Sequence, residues 1–550
     1  MTTEHDIAFP TLSKADIAAL KDRGTARKVR PGDTLFTAGE RNFGFFVVLE
    51  GAVEILDLGP NQSQTIVTHH AGQFTGDVDT LSGRAAVVTG RVAEAGRVLE
   101  LTPEALRRAV DELPDLGETL VKAFLMRRQL LLSSGAVGVL IIGSRFSPDT
   151  HRLRDFASRN AIPSRFLDLE SDPEAEALLR QFNIGASETP VVLGRNGVFK
   201  RNPSNASFAG CAGLTAALED DHVYDLVVVG AGPAGLAASV YAASEGLDVL
   251  TADALAAGGQ AGTSTRIENY LGFPTGISGA ELTRNALLQA QRFGAKITVP
   301  CAVRSLGVSG GERVVTLADG TPIRTRCVLV ASGVEYRKLD VPRFGDFEGA
   351  GIYYAATEME ARHCRGAEVV VVGGGNSAGQ AILYLARQAR QVHVLCRGRD
   401  LKLSMSRYLV DRITALSNVT VHTETTVAGV EGNGHLDAVR ARTGAGQERT
   451  FETSSLFLFI GASANTEWLR GCVDLDRSGF VLTGGALPPA TAEAERWRLA
   501  ARAPFLLETS LPGVFAAGDV RSGSVKRVAS AVGEGAMAVS FVHAHIQRPV

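Results

Sequence analysis

Two glycine-rich loops, each set between a run of β-branched residues and a helix pattern rich in small residues, constrain this chain more than any other feature. The first run, Tyr224-Asp225-Leu226-Val227-Val228-Val229, reads as a parallel strand buried on both faces, and it passes into Gly230-Ala231-Gly232-Pro233-Ala234-Gly235. In such a loop Gly230 permits the turn, Gly232 lets backbone approach a pyrophosphate, and Gly235 lets helix pack on strand. Asp253 ends the next strand, eighteen residues after Gly235, placed to accept a hydrogen bond from an adenosine ribose. A second copy lies downstream: a strand Glu368–Val372, the loop Gly373-Gly374-Gly375-Asn376-Ser377-Ala378, and a helix to Arg387. Its following strand, Gln391–Leu395, ends in Cys396-Arg397-Gly398-Arg399 with no carboxylate. Arg397 and Arg399 suit a ribose 2′-phosphate and favour NADP over NAD; two solvated arginines would leave the same pattern.

Two loops imply two dinucleotides, and the second loop interrupts the domain that the first one opens. That domain must close again, and the closing signal is Leu511-Pro512-Gly513-Val514-Phe515-Ala516-Ala517-Gly518-Asp519. A Gly-Asp pair after a buried strand resembles the FAD-ribityl site of two-dinucleotide-binding flavoproteins. The next run, Lys526-Arg527-Val528-Ala529-Ser530, opens a helix whose N-terminal dipole can stabilise a reduced, anionic flavin.

Further stretches extend the likeness: Gly258-Gly259-Gln260, Ile267-Glu268-Asn269-Tyr270 and Ala331-Ser332-Gly333, together with both loops and the Gly518-Asp519 region. In their order and spacing they resemble the low-molecular-weight thioredoxin reductases, over about residues 222–546. The resemblance implies FAD held by Gly230, Gly232, Pro233, Ala234, Gly235, Asp253, Gly259, Gly518 and Asp519, with Gln260 and Asn269 beside the flavin and Lys526, Arg527 and Val528 at its pyrimidine edge. It implies NADPH on Gly373, Gly375, Asn376, Ser377 and Ala378, a homodimer, and two domains turning on hinges near Ser332 and Gly461.

One departure bears on function. The family carries a Cys-x-x-Cys dithiol a little before its second glycine loop. Here that place reads Ile352-Tyr353-Tyr354-Ala355-Ala356-Thr357-Glu358, with Ala355 and Glu358 where the sulfurs belong. The six cysteines are Cys211, Cys301, Cys327, Cys364, Cys396 and Cys472, no two within four residues, which leaves no local redox pair or zinc knuckle and fits a reducing cytoplasm. Cys364 is lone and reads as structural. Glu358 either tunes the flavin or relays a proton, or is a surface carboxylate. No metal site is expected, and His543 and His545 read as surface or dimer-interface residues.

Upstream, residues 1–133 give a short helix, then short strands parted by turns such as Pro31-Gly32-Asp33 and Glu50-Gly51, with a buried strand Phe45–Leu49 and a closing helix from Leu113 to Leu132. This order resembles the jelly-roll cyclic-nucleotide-binding domain of catabolite-activator-type regulators. The family's phosphate cassette falls on Phe74 to Ala86, so Gly76, Asp77, Arg84 and Ala85 form the cyclic-nucleotide-like site. The cassette is shortened before Arg84, the family's ribose-gripping Glu is a shorter Asp77, and Asp79 adds negative charge. A degenerate domain used for packing, dimerisation or sensing something else accounts for the same residues. No helix-turn-helix follows, which argues against transcriptional control.

Residues 134–218 read as strand Val137–Ile142, helix Asp149–Asn160, strand Ser164–Leu169, helix Pro173–Phe182 and strand Val191–Leu193. The Thr189-Pro190 pair before that strand resembles the cis-proline turn of thioredoxin and glutaredoxin folds. Their redox loop would be Gly143-Ser144-Arg145-Phe146-Ser147-Pro148, which has no sulfur and cannot exchange disulfides. Cys211 reads as core. The expected architecture is therefore multidomain: an all-β jelly roll with helices (1–133), an α/β thioredoxin-like module (134–218), and an α/β two-dinucleotide-binding flavoprotein whose FAD part (219–339 and 462–550) encloses an NAD(P)H part (340–461).

At 550 residues and a net charge of −3, no large basic surface for nucleic acid is expected. The longest uncharged stretch, Leu226 to Ser244, is broken by Gly and Pro in the loop pattern and is no membrane span, and the first ten residues show no signal peptide, so a cytoplasmic protein is expected. Three functions remain in view. The first is an NADPH-dependent FAD oxidoreductase with a non-dithiol acceptor such as ferredoxin, flavodoxin, a quinone or a small molecule, regulated by its N-terminal domain; dithiol-free relatives that reduce ferredoxin show that the scaffold tolerates the loss. The second is a redox or nucleotide sensor with little turnover. The third is a thioredoxin-disulfide reductase.

Overall fold

The structure, a computed structural model, describes residues 4–58, 63–134, 139–181, 184–185, 188–194, 199–212, 214, 218, 221–264, 267, 269–348, 350–354, 356, 360–361, 364–493, 497 and 502–547. It divides into two units: Met1–Gly143 with Leu153–Asp220 and Leu288–Pro300, and Ser144–Arg152 with Asp221–Leu287 and Cys301–Val550.

The N-terminal unit opens on an antiparallel sheet in the order Thr25–Val29, Thr89–Leu101, Phe45–Leu58, Ser63–His70, with Thr34–Phe36 also paired to Thr89–Leu101. The two long strands bend where their register shifts at Val48/Glu50 and Ala52/Val53. Gly51 allows that bend at φ +83°, and a Cβ there would lie 2.6 Å from the Glu94 carbonyl oxygen. Inside, the rings of Phe45, Phe74 and Phe124 sit 5.6–6.2 Å apart, tilted or edge-on. Phe124 comes from the helix Pro114–Ser134. Leu113 was expected to begin that helix, but it caps the C-terminus of Pro103–Glu112; Pro114, having no N–H to satisfy, takes the first helical position. The same unit holds a second, four-stranded sheet in the order Ser164–Asp168, Val139–Gly143, Val191–Leu193, Phe199–Arg201. Its first pair is parallel and the other two are antiparallel, and the Thr189–Pro190 bond is cis.

In the C-terminal unit the valine runs become the parallel centres of two sheets, the first mixed and the second parallel throughout. Val223–Val229 lies between Val249–Ala252 and Pro322–Val330, parallel to both. Leu226, Val227 and Val228 are wholly buried because both faces of such a sheet are covered. A meander of Val303–Ser309 and Glu312–Leu317 joins Pro322–Val330 on one side. Further along the same edge the late strand Val514–Ala516 re-enters in parallel beside Val328–Val330, so the chain closes this sheet after its excursion. The second sheet runs Ile352–Tyr353, Leu456–Leu458, Glu368–Val372, Gln391–Leu395, Val419–His422, parallel throughout. The chain leaves the first sheet and returns to it through Val334–Tyr336 and Ala462–Ala464, which pair as a two-stranded antiparallel ribbon. Gly333 and Gly461, at φ +65° and +97°, stand directly before those strands, beside the expected hinges.

Candidate cofactor and ligand sites

In the first loop the three glycines divide the work. A Cβ on Gly230 would lie 2.3 Å from the Ala331 carbonyl oxygen, and one on Gly235 only 1.8 Å from that of Gly230, so both are fixed by packing. A Cβ on Gly232 would meet nothing nearer than Gly259 Cα at 3.9 Å. That open face is where a pyrophosphate can approach. The helix Pro233–Ser244 starts there with no side-chain cap, so its first N–H groups remain for an anion. Asp253 does more than the sequence suggested. Its Oδ2 accepts from the Ala231 N–H at 2.8 Å, and Oδ1 accepts from the N–H groups of Leu255 and Ala256 at 2.9 and 3.0 Å. The carboxylate braces the loop and keeps lone pairs for a ribose hydroxyl.

Around it the expected residues meet unequally. Gly259, at φ +53°, backs onto Gly232. Gln260 donates from Nε2 to the Val334 carbonyl at 2.5 Å, tying the loop to the ribbon. Asn269 is exposed. Gly518, at φ +77°, gives its N–H to Glu534 Oε2 at 2.7 Å, and Arg521 pairs with the same carboxylate. Burial raises the carboxyl pKa of Asp519, next along the chain. Lys526 donates from Nζ to the Asp519 carbonyl at 2.8 Å and lies over the Phe480 ring. Arg527 is the N-cap of the helix Val528–Ile546 and makes no side-chain cap, which leaves that helix end open as well. Two open helix N-termini, a glycine face free of side chains and a carboxylate at the strand end fit an FAD. Sequence reasoning missed Glu534, which belongs to no motif.

The second loop repeats the plan. Gly373 stands at φ +142°, with its Cβ position 2.4 Å from the Phe459 carbonyl oxygen, whereas a Cβ on Gly375 would meet nothing within 4 Å. Gly375 is the uncapped N-cap of the helix Asn376–Leu385. Bracing comes from a later turn: Ser404 Oγ donates to the Gly374 carbonyl and the Ser406 N–H to Asn376 Oδ1, both at 2.7 Å. Ser377 is exposed, but Ala378 is fully buried in the helix's core face, so its side chain is packing and not a contact surface. Arg397 and Arg399 are exposed at the strand end. Arg399 pairs with Glu424 at 3.2 Å; Arg397 has no ion pair among the described residues. The donors fit a phosphorylated dinucleotide.

None of the six cysteines is disulfide-bonded. Burial pushes the Cys364 thiol up to about 11 and that of Cys327 to about 12, which keeps both protonated and inert. Ala355 and Glu358 lie outside the described residues; Ala356 between them is buried. His543 and His545 are not free surface residues. His543 pairs with Glu245 at 2.9 Å. His545 Nδ1 lies 3.1 Å from an Arg502 nitrogen, beside fully buried Glu508, and burial lowers its pKa to about 4. The segment Ser144–Arg152, which holds most of the expected redox-like loop, clusters with the C-terminal unit. There the Phe146 ring lies 4.7 Å from His435, and His151 Nε2 lies 4.0 Å from Glu360, close in sequence to Ala355–Glu358.

The N-terminal cassette departs most from expectation. Asp77 is not presented to a ribose: it caps the helix Val78–Ser82, accepting from the Asp79 N–H at 2.9 Å, and faces Arg128 Nη1 at 3.4 Å. Burial, with the Asp79 charge adding to it, raises its carboxyl pKa to about 6. Arg128 Nη1 bonds Asp79 at 2.8 Å, with both side chains at most 5 % exposed. Gly76, at φ +98°, gives its carbonyl to Arg127. Arg84 and Ala85 do line a cavity, and Cys211, expected in the core, is only part-buried in the wall of the same cavity. The sequence signal for Arg128 was a double arginine, Arg127-Arg128, inside an apolar helix pattern.

A chain whose first sheet is left and re-entered, with an open glycine loop after the central parallel strand of each of two sheets, is a two-dinucleotide-binding flavoprotein by architecture. The family model for pyridine nucleotide-disulphide oxidoreductases matches residues 224–535, more than half the chain, and the chain belongs to that family. The model for the cyclic nucleotide-binding domain matches residues 26–112. Thioredoxin reductase of Streptomyces clavuligerus is 33% identical over 318 residues, 58% of this chain and 92% of its own length. NADPH-dependent thioredoxin reductase 3 of Arabidopsis thaliana is 34% identical over 324 residues, 58% of this chain and 57% of its own length. The crystal structure of T. acidophilum thioredoxin reductase aligns with a TM-score of 0.52 at 29% identity, covering 59% of this chain and 99% of that one. FAD and NADPH are the cofactors of the thioredoxin reductase group. No helix among the described residues is long and apolar enough to cross a membrane.

Proposed function

We propose that this protein takes electrons from NADPH through FAD to an acceptor other than a protein dithiol, under the influence of its N-terminal domain. The carrying observation is the conjunction of two open, braced dinucleotide loops with a chain that has no Cys-x-x-Cys in any module. The chemistry that the two cofactors supply when bound is hydride transfer from nicotinamide to flavin. The residues named above hold and orient them: Gly232 and Gly375 admit phosphates, Asp253 fixes the adenosine end of FAD, and Arg397 and Arg399 attract a 2′-phosphate. The open N-terminus of the helix that starts at Val528 would favour the negative charge of a reduced flavin held beside it. With Ala355 and Glu358 where the family carries its dithiol, the cofactor would supply electrons without that relay, to a ferredoxin- or flavodoxin-type protein, a quinone or a small molecule. The middle module, read as thioredoxin-like, has no sulfurs in its redox-like loop, and His151 of its Ser144–Arg152 segment lies 4.0 Å from Glu360, two residues after Glu358 in the sequence, which supports a docking role.

An anaerobic titration with NADPH, followed by an acceptor survey, tests this reading. Rapid bleaching of the oxidised flavin band and multiple turnover with a non-dithiol acceptor are expected. Efficient thioredoxin-coupled disulfide reduction by the unmodified protein would overturn it. Stoichiometric reduction with slow air oxidation and no turnover would favour a sensor.

A further inference from the structure

The cavity at the N-terminal cassette is not a β-roll pocket alone. One side is Thr37 to Gly39 with Arg41, the cassette residues Asp79 and Arg84 to Val87, and Arg128; the other is Val139, Ile162, Pro163, Gly210, Cys211, Ala212 and Leu214. All of these belong to the N-terminal unit, and together they enclose about 350 Å³, at the low end for a small-molecule site. In the polar wall Arg84 and Arg128 stand with Asp79. Among the described residues Arg84 makes no ion pair or hydrogen bond, although it is half-buried. Asp79 Oδ1 and Arg128 Nε are buried without hydrogen-bond partners, in side chains only 2–4 % exposed. Leaving such groups unpaired is costly, most of all for charged ones, and a guanidinium held away from water calls for an anion. Opposite them the wall is apolar: Val139, Ile162, Pro163 and Leu214.

We propose that this cavity is a composite site for a compact organic anion, gripped by Arg84 from the β-roll and covered by the module that follows it. The ligand carries one phosphate or carboxylate head for Arg84, a hydroxyl that donates to Asp79 Oδ1, and a small apolar body against Ile162 and Leu214. It is not a cyclic nucleotide held by its ribose, because the carboxylate at the ribose-gripping position, Asp77, is outside the cavity wall and engaged with its own helix and Arg128. Arg128 also donates from Nη2 to the Ala161 carbonyl at 3.2 Å, so one side chain joins the cassette to the covering module. A ligand that completes the pairing of Arg128 and Asp79 therefore stabilises the two modules together. This inference specifies the ligand of the regulatory domain and rests on the reading that the domain is regulatory.

Cys211 supplies the readout, since it is part-buried in the wall and belongs to the covering module. Its alkylation by iodoacetamide is followed by peptide mass spectrometry in the full-length protein with 2-hydroxyisovalerate, 3-hydroxybutyrate, inorganic phosphate or cAMP. Saturable protection by 2-hydroxyisovalerate or 3-hydroxybutyrate, at least fivefold and lost in both Arg84→Ala and Gly210→Leu, is expected. Gly210 is chosen because a Cβ there meets nothing within 4 Å, so a side chain can block the mouth without disturbing the fold. Flavin content and NADPH-driven bleaching report that each variant is intact. Protection by cAMP alone, protection that survives Gly210→Leu, response to inorganic phosphate alone, or no protection by any probe would each overturn the composite site. Undisturbed NADPH bleaching in those cases would leave the electron-transfer reading standing.

Discussion

The two dinucleotide loops share a backbone plan and differ in what braces them. In the first, one residue does two jobs: Asp253 ties down Ala231 and also presents the acceptor a ribose needs. In the second, bracing and reading are separate. Ser404 and Ser406 hold the loop from one side, while Arg397 and Arg399 stand exposed at the strand end. The first loop is thus intolerant, since a change that harms recognition also loosens the fold. The second should be tunable, because the arginines expected to carry its selectivity are exposed side chains the fold does not need. A tightly kept flavin and an exchanging nicotinamide call for that difference.

The largest effects should fall on the first loop. Gly235→Ala forces a Cβ to within 1.8 Å of the Gly230 carbonyl oxygen, and the helix must move off its strand. We expect flavin-free, poorly soluble protein whose thermal unfolding has lost its flavin-dependent transition. Asp253→Ala comes next. It removes the acceptor of three backbone N–H groups, and hydrogen bonds to a charged group are worth about 1.5–3 kcal/mol each. Flavin occupancy after gel filtration should fall at least tenfold, and the melting temperature should drop below that of the deflavinated wild type, because the lost bonds are made within the protein itself. Gly232→Ala separates binding from folding, because its Cβ meets no protein atom closer than 3.9 Å. It should match deflavinated wild type in circular dichroism and refuse added FAD. Full flavin content in Gly232→Ala would mean that the open face is not where the cofactor lies. The matching change in the second loop, Gly375→Ala, should keep its flavin and lose about tenfold in NADPH affinity, read from the concentration dependence of anaerobic bleaching.

How much of this could be read from the chain follows from how each feature is encoded. Leu226–Val229 and Val369–Val372 declared themselves because a parallel strand covered on both faces is written as a continuous apolar run. The re-entering strand Val514–Ala516 was legible for the same reason, nearly two hundred residues after Val330. Partnerships between distant residues were not legible. Glu534 holds Gly518, and Arg128 holds Asp77 and Asp79, across spacings that no local pattern carries. Asp77 shows the consequence: expected in the cyclic-nucleotide-like site, its carboxylate instead binds the Asp79 N–H and faces Arg128. His545 erred in the same direction, since only the fold brings Arg502 and Glu508 to it.

The smallest effect tests the tunable loop most sharply. Arg397 and Arg399 are both exposed, but Arg399 shares its charge with Glu424 while Arg397 does not. A 2′-phosphate should therefore gain more from Arg397. Arg397→Ala should raise the NADPH concentration needed for half-bleaching about tenfold, the scale of one charge-assisted contact, and leave NADH nearly unchanged. Arg399→Ala should cost less, about two- to threefold, and Glu424→Gln should move NADPH slightly the other way by releasing Arg399. Because these guanidinium groups are in water, the differences should shrink as salt rises from 0.05 to about 0.5 M, where the Debye length falls to a few ångströms. Equal losses for NADPH and NADH in Arg397→Ala, or losses indifferent to salt, would move the phosphate site off this strand end and leave the second loop without a source of selectivity.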